Sequence, residues 1–228
     1  MLRVNSKSES MKTRNMKCFI KSVNLKKGES HMAERKQFET LLMHTKNVAV
    51  IWKNTRGISP DEVADKLDKA MLEWMRDLTQ SLKIWIDKGQ NMTDGELILA
   101  RANLGSVVES WLRLFYTVFI EDYNKNPILD SKGKTVPLHK ANFVDLQKYS
   151  CNILWADKNS KEYMWVDSVR KKRNAIHSFE EKDIGTPQDF IEDINELYSF
   201  VEKVMSHFPP VEDCMDVLPY GYQLCSMF

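Results

Sequence analysis

Cysteine is scarce in this chain. Cys18, Cys151, Cys214 and Cys225 are the only four in 228 residues, and no two form a C-x-x-C pair. With no apolar leader following the basic N-terminal residues, that usage argues against a disulfide framework and for a reducing, cytoplasmic compartment. Long apolar runs are missing too. The longest charge-free apolar stretch covers residues 114–120, far short of the roughly 20 residues a bilayer span needs, so no membrane partner is expected. Neither sign of charge dominates, since 33 Lys and Arg face 32 Asp and Glu for a net +1. That balance excludes a basic field over the whole domain as a route to nucleic acid. The Walker loop, G-x-G-x-x-G, H-E-x-x-H, G-x-S-x-G and the calcium loop are all absent, which removes the chemistries those motifs carry. His31, His44, His139 and His207 stand apart without partners at ligand spacing, so neither a metal nor another cofactor is expected.

What is present is helical periodicity, bounded by the seven prolines and most of the eight glycines. Residues 1–31 carry eight basic side chains against Glu9 and Glu29 and show no lasting period, so we expect a disordered basic extension. It would either attract RNA through phosphate contacts or be dispensable. A helical domain follows over 32–208, and 209–228 form a C-terminal tail without further pattern.

Six helices are expected. The first spans about 33–53. The second opens at Ser59-Pro60-Asp61-Glu62 and carries one long stripe through Val63, Leu67, Met71, Trp74, Leu78, Leu82 and Trp85 to Gly89. The third starts at the capping box Thr93-Asp94-Gly95-Glu96 and runs to about residue 123. The fourth and fifth are expected near 138–156 and 161–179, and the last opens at Thr186-Pro187-Gln188-Asp189 and stops at Pro209-Pro210. No alternating segment demands a sheet, so the expected fold is all-α, an antiparallel bundle of about five to six helices.

Gly105 is the exception among the glycines because it lies inside a helical stripe beside Ala102 and Ser106. A glycine there costs roughly 1 kcal/mol against alanine, so close approach of another helix or a second subunit is expected to offset it.

One segment carries candidate chemistry: Val169-Arg170-Lys171-Lys172-Arg173-Asn174-Ala175-Ile176-His177-Ser178-Phe179. On a continuous helix at 100° per residue, Arg173 and His177 lie about 40° apart and Arg170 and His177 about 20° apart. Arg170, Arg173, Asn174 and His177 would then share one face. Guanidiniums give bidentate donors to phosphate and stabilise charge at a pentacoordinate phosphorus. Cationic neighbours favour a neutral imidazole, which is able to take a proton from a ribose 2′-hydroxyl. The other reading of R-K-K-R is a solvated basic helix face.

This segment resembles the HEPN superfamily, helical bundles marked by R-x(4–6)-H with a polar residue after the arginine. Arg170 leaves six residues before His177, within that spacing, while Asn174 follows Arg173. The resemblance covers approximately 33–208, with its specificity concentrated in 169–179. It implies a metal-independent endoribonuclease of toxin–antitoxin, abortive-infection or antiviral defence type. His177, Arg170 and Arg173 would be catalytic, and Asn174, Lys171 and Lys172 would hold substrate. Glu109 would either steady an arginine of the motif or be an ordinary helix glutamate. The resemblance further implies RNA as substrate, a homodimer, and a cognate antitoxin or defence-system partner. The same residues also admit a non-catalytic RNA-binding or protein-interaction module.

Overall fold

The helix signals in the sequence are realised as hydrogen bonds in the structure, a computed structural model that describes residues 35–209. Both the basic extension and the C-terminal tail fall outside the described residues, apart from Pro209. The chain divides into two compact units, Met1–Thr40 and Leu41–Phe228. Of the first, the described residues 35–40 are helical. All that follows concerns the second.

Its described residues are all-helical. The helices are α1 (41–53), α2 (Asp61–Lys69), α3 (Leu72–Lys88), α4 (Asp94–Val118), α5 (Ile120–Lys125), α6 (Phe143–Tyr149), α7 (Lys161–Arg173) and α8 (Pro187–Met205). Three short 3₁₀ turns, Gly89–Asn91, Leu138–Lys140 and Asn174–His177, join them. Among the described residues no strand forms; only three isolated bridges pair backbone in this manner.

Two capping boxes close as the sequence directs. Thr93 accepts from the Glu96 amide while the Glu96 carboxylate accepts from the Thr93 amide, and Thr186 and Asp189 repeat the arrangement at α8. Helix α4 is buried on every side: Leu97, Ala100, Leu104, Val107, Val108, Trp111, Leu114 and Tyr116 all lie inside. It therefore serves as the central post, touching α2, α3, α6, α7 and α8.

Eight helices stand among the described residues where about five to six were expected, and the boundaries differ for local reasons. The third expected helix, for one, divides at Phe119 (φ −99°, ψ 38°) into α4 and α5. The long second helix breaks at Ala70, whose backbone is extended (φ −75°, ψ 137°). Buried positions then run Val63, Ala64, Leu67 in α2 and Leu72, Met75, Thr79, Leu82, Ile86 in α3. The step from 67 to 72 shifts the register by one residue, which turns Met71 and Trp74 outward, to 50% and 63% exposure. The fourth expected helix shrinks to α6 because the chain folds back at Asn152, which adopts left-handed backbone (φ 63°) and donates from its amide to the Trp155 carbonyl at 2.7 Å. Leu154 and Trp155 are buried by that turn, and Ile153 faces out. The fifth ends at Arg173, where the 3₁₀ turn takes over. No helix among the described residues is long and apolar enough to cross a membrane.

Candidate functional site

Helix α7 is fixed by the Ser160 cap, which accepts from the Tyr163 amide, and by Val166 and Val169, which are buried against the centre. Its last turn then concentrates four cations, Arg170, Lys171, Lys172 and Arg173, where the helix dipole is negative. These four do not present one continuous face. All four pair with carboxylates, Arg170 and Lys171 sharing one, and three different helices supply the three acidic partners.

Arg170 stays with α7 and α6. Its Nη2 donates to Asp167 Oδ1 at 2.6 Å and its Nε to the oxygen of the fully buried Gln147 at 2.9 Å. Lys171 lies outward, 68% exposed, with Nζ 2.7 Å from the second oxygen of Asp167. Burial alone would raise the Asp167 carboxyl, but hydrogen bonds from Lys171, Arg170 and Gln147 outweigh it and hold the group at about 2. Lys172 reaches across to Asp193 on α8 at 3.3 Å.

Arg173 turns toward α4. Its Nη2 stands 3.1 Å from Glu109, whose other oxygen accepts from Arg113 at 2.7 Å. Gly105 sits one turn before Glu109, and the missing side chain there is explained by this contact. A Cβ at Gly105 would lie 2.5 Å from the Cγ and 2.6 Å from the Cβ of Arg173. The close approach anticipated for Gly105 is thus the stem of Arg173 within the same chain. Glu109 therefore pairs with Arg173, one of the two arginines of the basic run.

Beyond Arg173 the chain winds as a 3₁₀ turn over Asn174–His177, held by the buried Ala175. Three residues per turn instead of 3.6 carry His177 about 80° past the position that α-helical geometry assigns it. Its imidazole is exposed, and no hydrogen bond or ion pair to it forms among the described residues. Asn174 is half-buried beside it in sequence, Ile176 is 42% exposed, and Phe179 is wholly exposed. The seven expected site residues therefore separate: Arg170 and Lys171 on Asp167, Lys172 on Asp193, Arg173 on Glu109, Asn174 half-buried in the 3₁₀ turn, and His177 without a partner among the described residues.

A charged centre escaped the sequence reading. Arg101 on α4, 1% exposed, pairs through Nη1 with Asp193 and donates from Nε to the Ile184 carbonyl at 2.9 Å. Asp193 also accepts from Trp165 Nε1 at 2.9 Å. The guanidinium lies over the Phe190 ring, 5.5 Å from its centroid. Gly185, at φ 67°, leaves the space for it, since a Cβ there would come within 3.0 Å of Arg101 Nη2. The readable signal was a charge inside each apolar stripe: Arg101 between Leu97 and Leu104, and Asp193 between Phe190 and Leu197.

Among the described residues, no group of three or more His, Cys, Asp or Glu side chains is arranged to hold a metal ion. Comparison with known proteins adds no relative: no family model, curated protein or solved structure matches this chain.

Proposed function

We propose that the chain is a HEPN-like ribonuclease of defence or toxin type, a finer reading of its all-helical fold, with His177 as the acid–base group. The observation that supports it most directly is the contrast at the end of α7: four cations are held by carboxylates, and the exposed His177 imidazole makes no hydrogen bond or ion pair among the described residues. In this reading His177 takes the proton of a ribose 2′-hydroxyl. The 2′-oxygen attacks phosphorus, the bond to the 5′-oxygen breaks, and the leaving oxygen is protonated, giving a 2′,3′-cyclic phosphate and a 5′-hydroxyl. Arg173, steadied by Glu109, supplies donors to the phosphate, with Lys171 as the outer cation and Asn174 at hand. A two-fold dimer would bring a second histidine as the acid, and an antitoxin or defence partner would cover the same end of α7.

Incubation of the purified protein with mixed RNA in excess EDTA tests this. Cleavage by the native chain and its loss in His177→Ala are expected; equal cleavage by both, or none by the native chain, overturns it.

A second reading has its own observation. Arg170 and Arg173 are each neutralised within the chain, which fits a module that binds RNA or a protein without cutting it. Under that reading His177→Ala leaves RNA affinity unchanged, whereas Lys171→Ala lowers the slope of log K against log salt by about 0.7–0.9.

A further inference from the structure

The C-terminal end of α4 carries a second feature, well removed from α7: Phe119 lies ten residues past Glu109, about 15 Å along the helix axis. Phe115, Phe119 and Tyr123 recur there at intervals of four, and with Tyr116, Tyr149 and His207 they wall a cleft of ≈ 360 Å³. That volume is at the lower end of small-molecule sites, which run from about 300 to 1,000 Å³.

The tyrosines give this cleft their rings and keep their hydroxyls elsewhere. Tyr116 Oη pairs with Ser150 Oγ at 2.6 Å, Tyr123 Oη donates to the Val136 carbonyl at 2.6 Å, and Tyr149 Oη donates to the Asn126 carbonyl at 2.7 Å. His207 Nδ1 donates to the Lys203 carbonyl at 2.8 Å, because a carbonyl can only accept. Neighbouring rings are steeply tilted: 53° for Phe115 and Phe119, 64° for Tyr123 and Tyr149, 70° for Tyr116 and Tyr149, 87° for Phe115 and His207. Phe115, Tyr116 and Tyr123 are themselves only 2–3% exposed and back the cleft, so a guest meets mainly the rings of Phe119, Tyr149 and His207.

Asp122 is the one acidic group in this lining. Its partner Lys125 stands at 2.8 Å, but both side chains are largely in water, at 69% and 73% exposure, so their mutual hold is weak. Its field reaches inward. Burial raises the Tyr149 phenol first, and Tyr123 and Asp122 raise it further. Negative ring faces and one carboxylate complement a cation, and they repel an anion.

We propose that this cleft binds a small organic ammonium ion of the choline or tetramethylammonium class, with the aromatic walls around the methyl groups and Asp122 at the rim. The proposal is independent of the nuclease reading. Titration of the full chain with choline, followed by NMR or calorimetry beside the uncharged isostere 3,3-dimethyl-1-butanol, separates charge recognition from apolar burial. Choline is expected to bind at least about tenfold more tightly than the isostere. Asp122→Asn, at an exposed position that does not threaten folding, is expected to weaken choline about 3- to 10-fold and leave the isostere unchanged. Tyr149→Phe keeps the ring and is expected to retain binding within about twofold, whereas Tyr149→Leu loses it. Equal affinity for choline and isostere overturns the proposal, as does an absence of choline binding at 50 mM or indifference to Asp122→Asn.

Discussion

Two charged regions, both built on α7, contrast sharply. At Asp193 the charges are buried and paired: one carboxylate accepts from Arg101, Trp165 and Lys172, and Arg101 is 1% exposed, bonded through Nη1 and Nε while its buried Nη2 has no hydrogen-bond partner among the described residues. At His177 the imidazole is exposed and makes no hydrogen bond or ion pair among the described residues. The difference shows that the R-K-K-R run is not one functional patch. Its members are drawn apart to Asp167, Asp193 and Glu109, so most of its basic character is spent on joining α7 to α4, α6 and α8. What is left over for a ligand is the 3₁₀ turn and its outer neighbours Lys171 and Arg173.

The buried side of the comparison breaks hardest. Asp193→Ala leaves Arg101 enclosed without its carboxylate and strips Trp165 of its acceptor. Loss of one partner from a buried pair costs about 3–5 kcal/mol, so chemical denaturation is expected to show a fall of that size. Lys172→Ala removes a weaker, longer contact to the same carboxylate and is expected to cost under about 1 kcal/mol. If the two variants were equally destabilised, Asp193 would not be the node described.

Next in size is the α4–α7 contact. Gly105→Val places carbon atoms where the Arg173 stem already lies, and overpacking of this kind costs about 1–3 kcal/mol. Arg173→Gly combined with Gly105→Val removes both obstructing atoms, the Cγ and the Cβ of Arg173. The pair is therefore expected to be less than additive in thermal or denaturant unfolding, and strict additivity would contradict the contact.

The third effect is a pH dependence. Asp167 is held at about 2 in the folded chain against about 3.9 when unfolded, so its contribution to stability is complete above roughly pH 4. It is lost as the pH falls from there through 2, because the unfolded chain binds the proton first. Asp167→Asn is expected to flatten the acid limb of the stability curve in that window alone. An unchanged limb would mean that Arg170 and Lys171 do not hold the carboxylate as the geometry requires.

These three tests also mark what the sequence disclosed. Caps and stripes were legible because their signals are local: Thr93 with Glu96 and Thr186 with Asp189 closed as their spacing directed. The break at Ala70 was not, since neither proline nor glycine marks it and the apolar pattern of 63–85 reads through it. Only the demand to bury Leu72 and Met75 in place of Met71 and Trp74 selects the extended residue. The need for tight packing at Gly105 was legible, but the identity of the neighbour was not. The shared face of Arg170, Arg173 and His177 rested on uninterrupted α-helical geometry, and nothing local in the sequence marks the change to three residues per turn after Arg173, where the turn packs beside α4 and Ala175 is buried. Buried Arg101 and Asp193 were signalled only by charges standing inside apolar stripes, which a reading focused on the basic run passed over.

The smallest expected effect on stability is the one that isolates chemistry. His177→Ala removes an exposed ring that touches no partner among the described residues, so its unfolding free energy is expected to match the native chain within about 0.5 kcal/mol. Arg170→Ala is different in kind: it frees Asp167 and the wholly buried Gln147 together, so any loss of RNA cleavage in it is confounded with damage to the α6–α7 junction. A stability loss in His177→Ala comparable to that of Arg170→Ala would place the imidazole in the structural scaffold. A native unfolding curve combined with lost RNA cleavage would place it on the substrate, because a side chain that bonds to nothing in the fold has no structural role through which its removal can act.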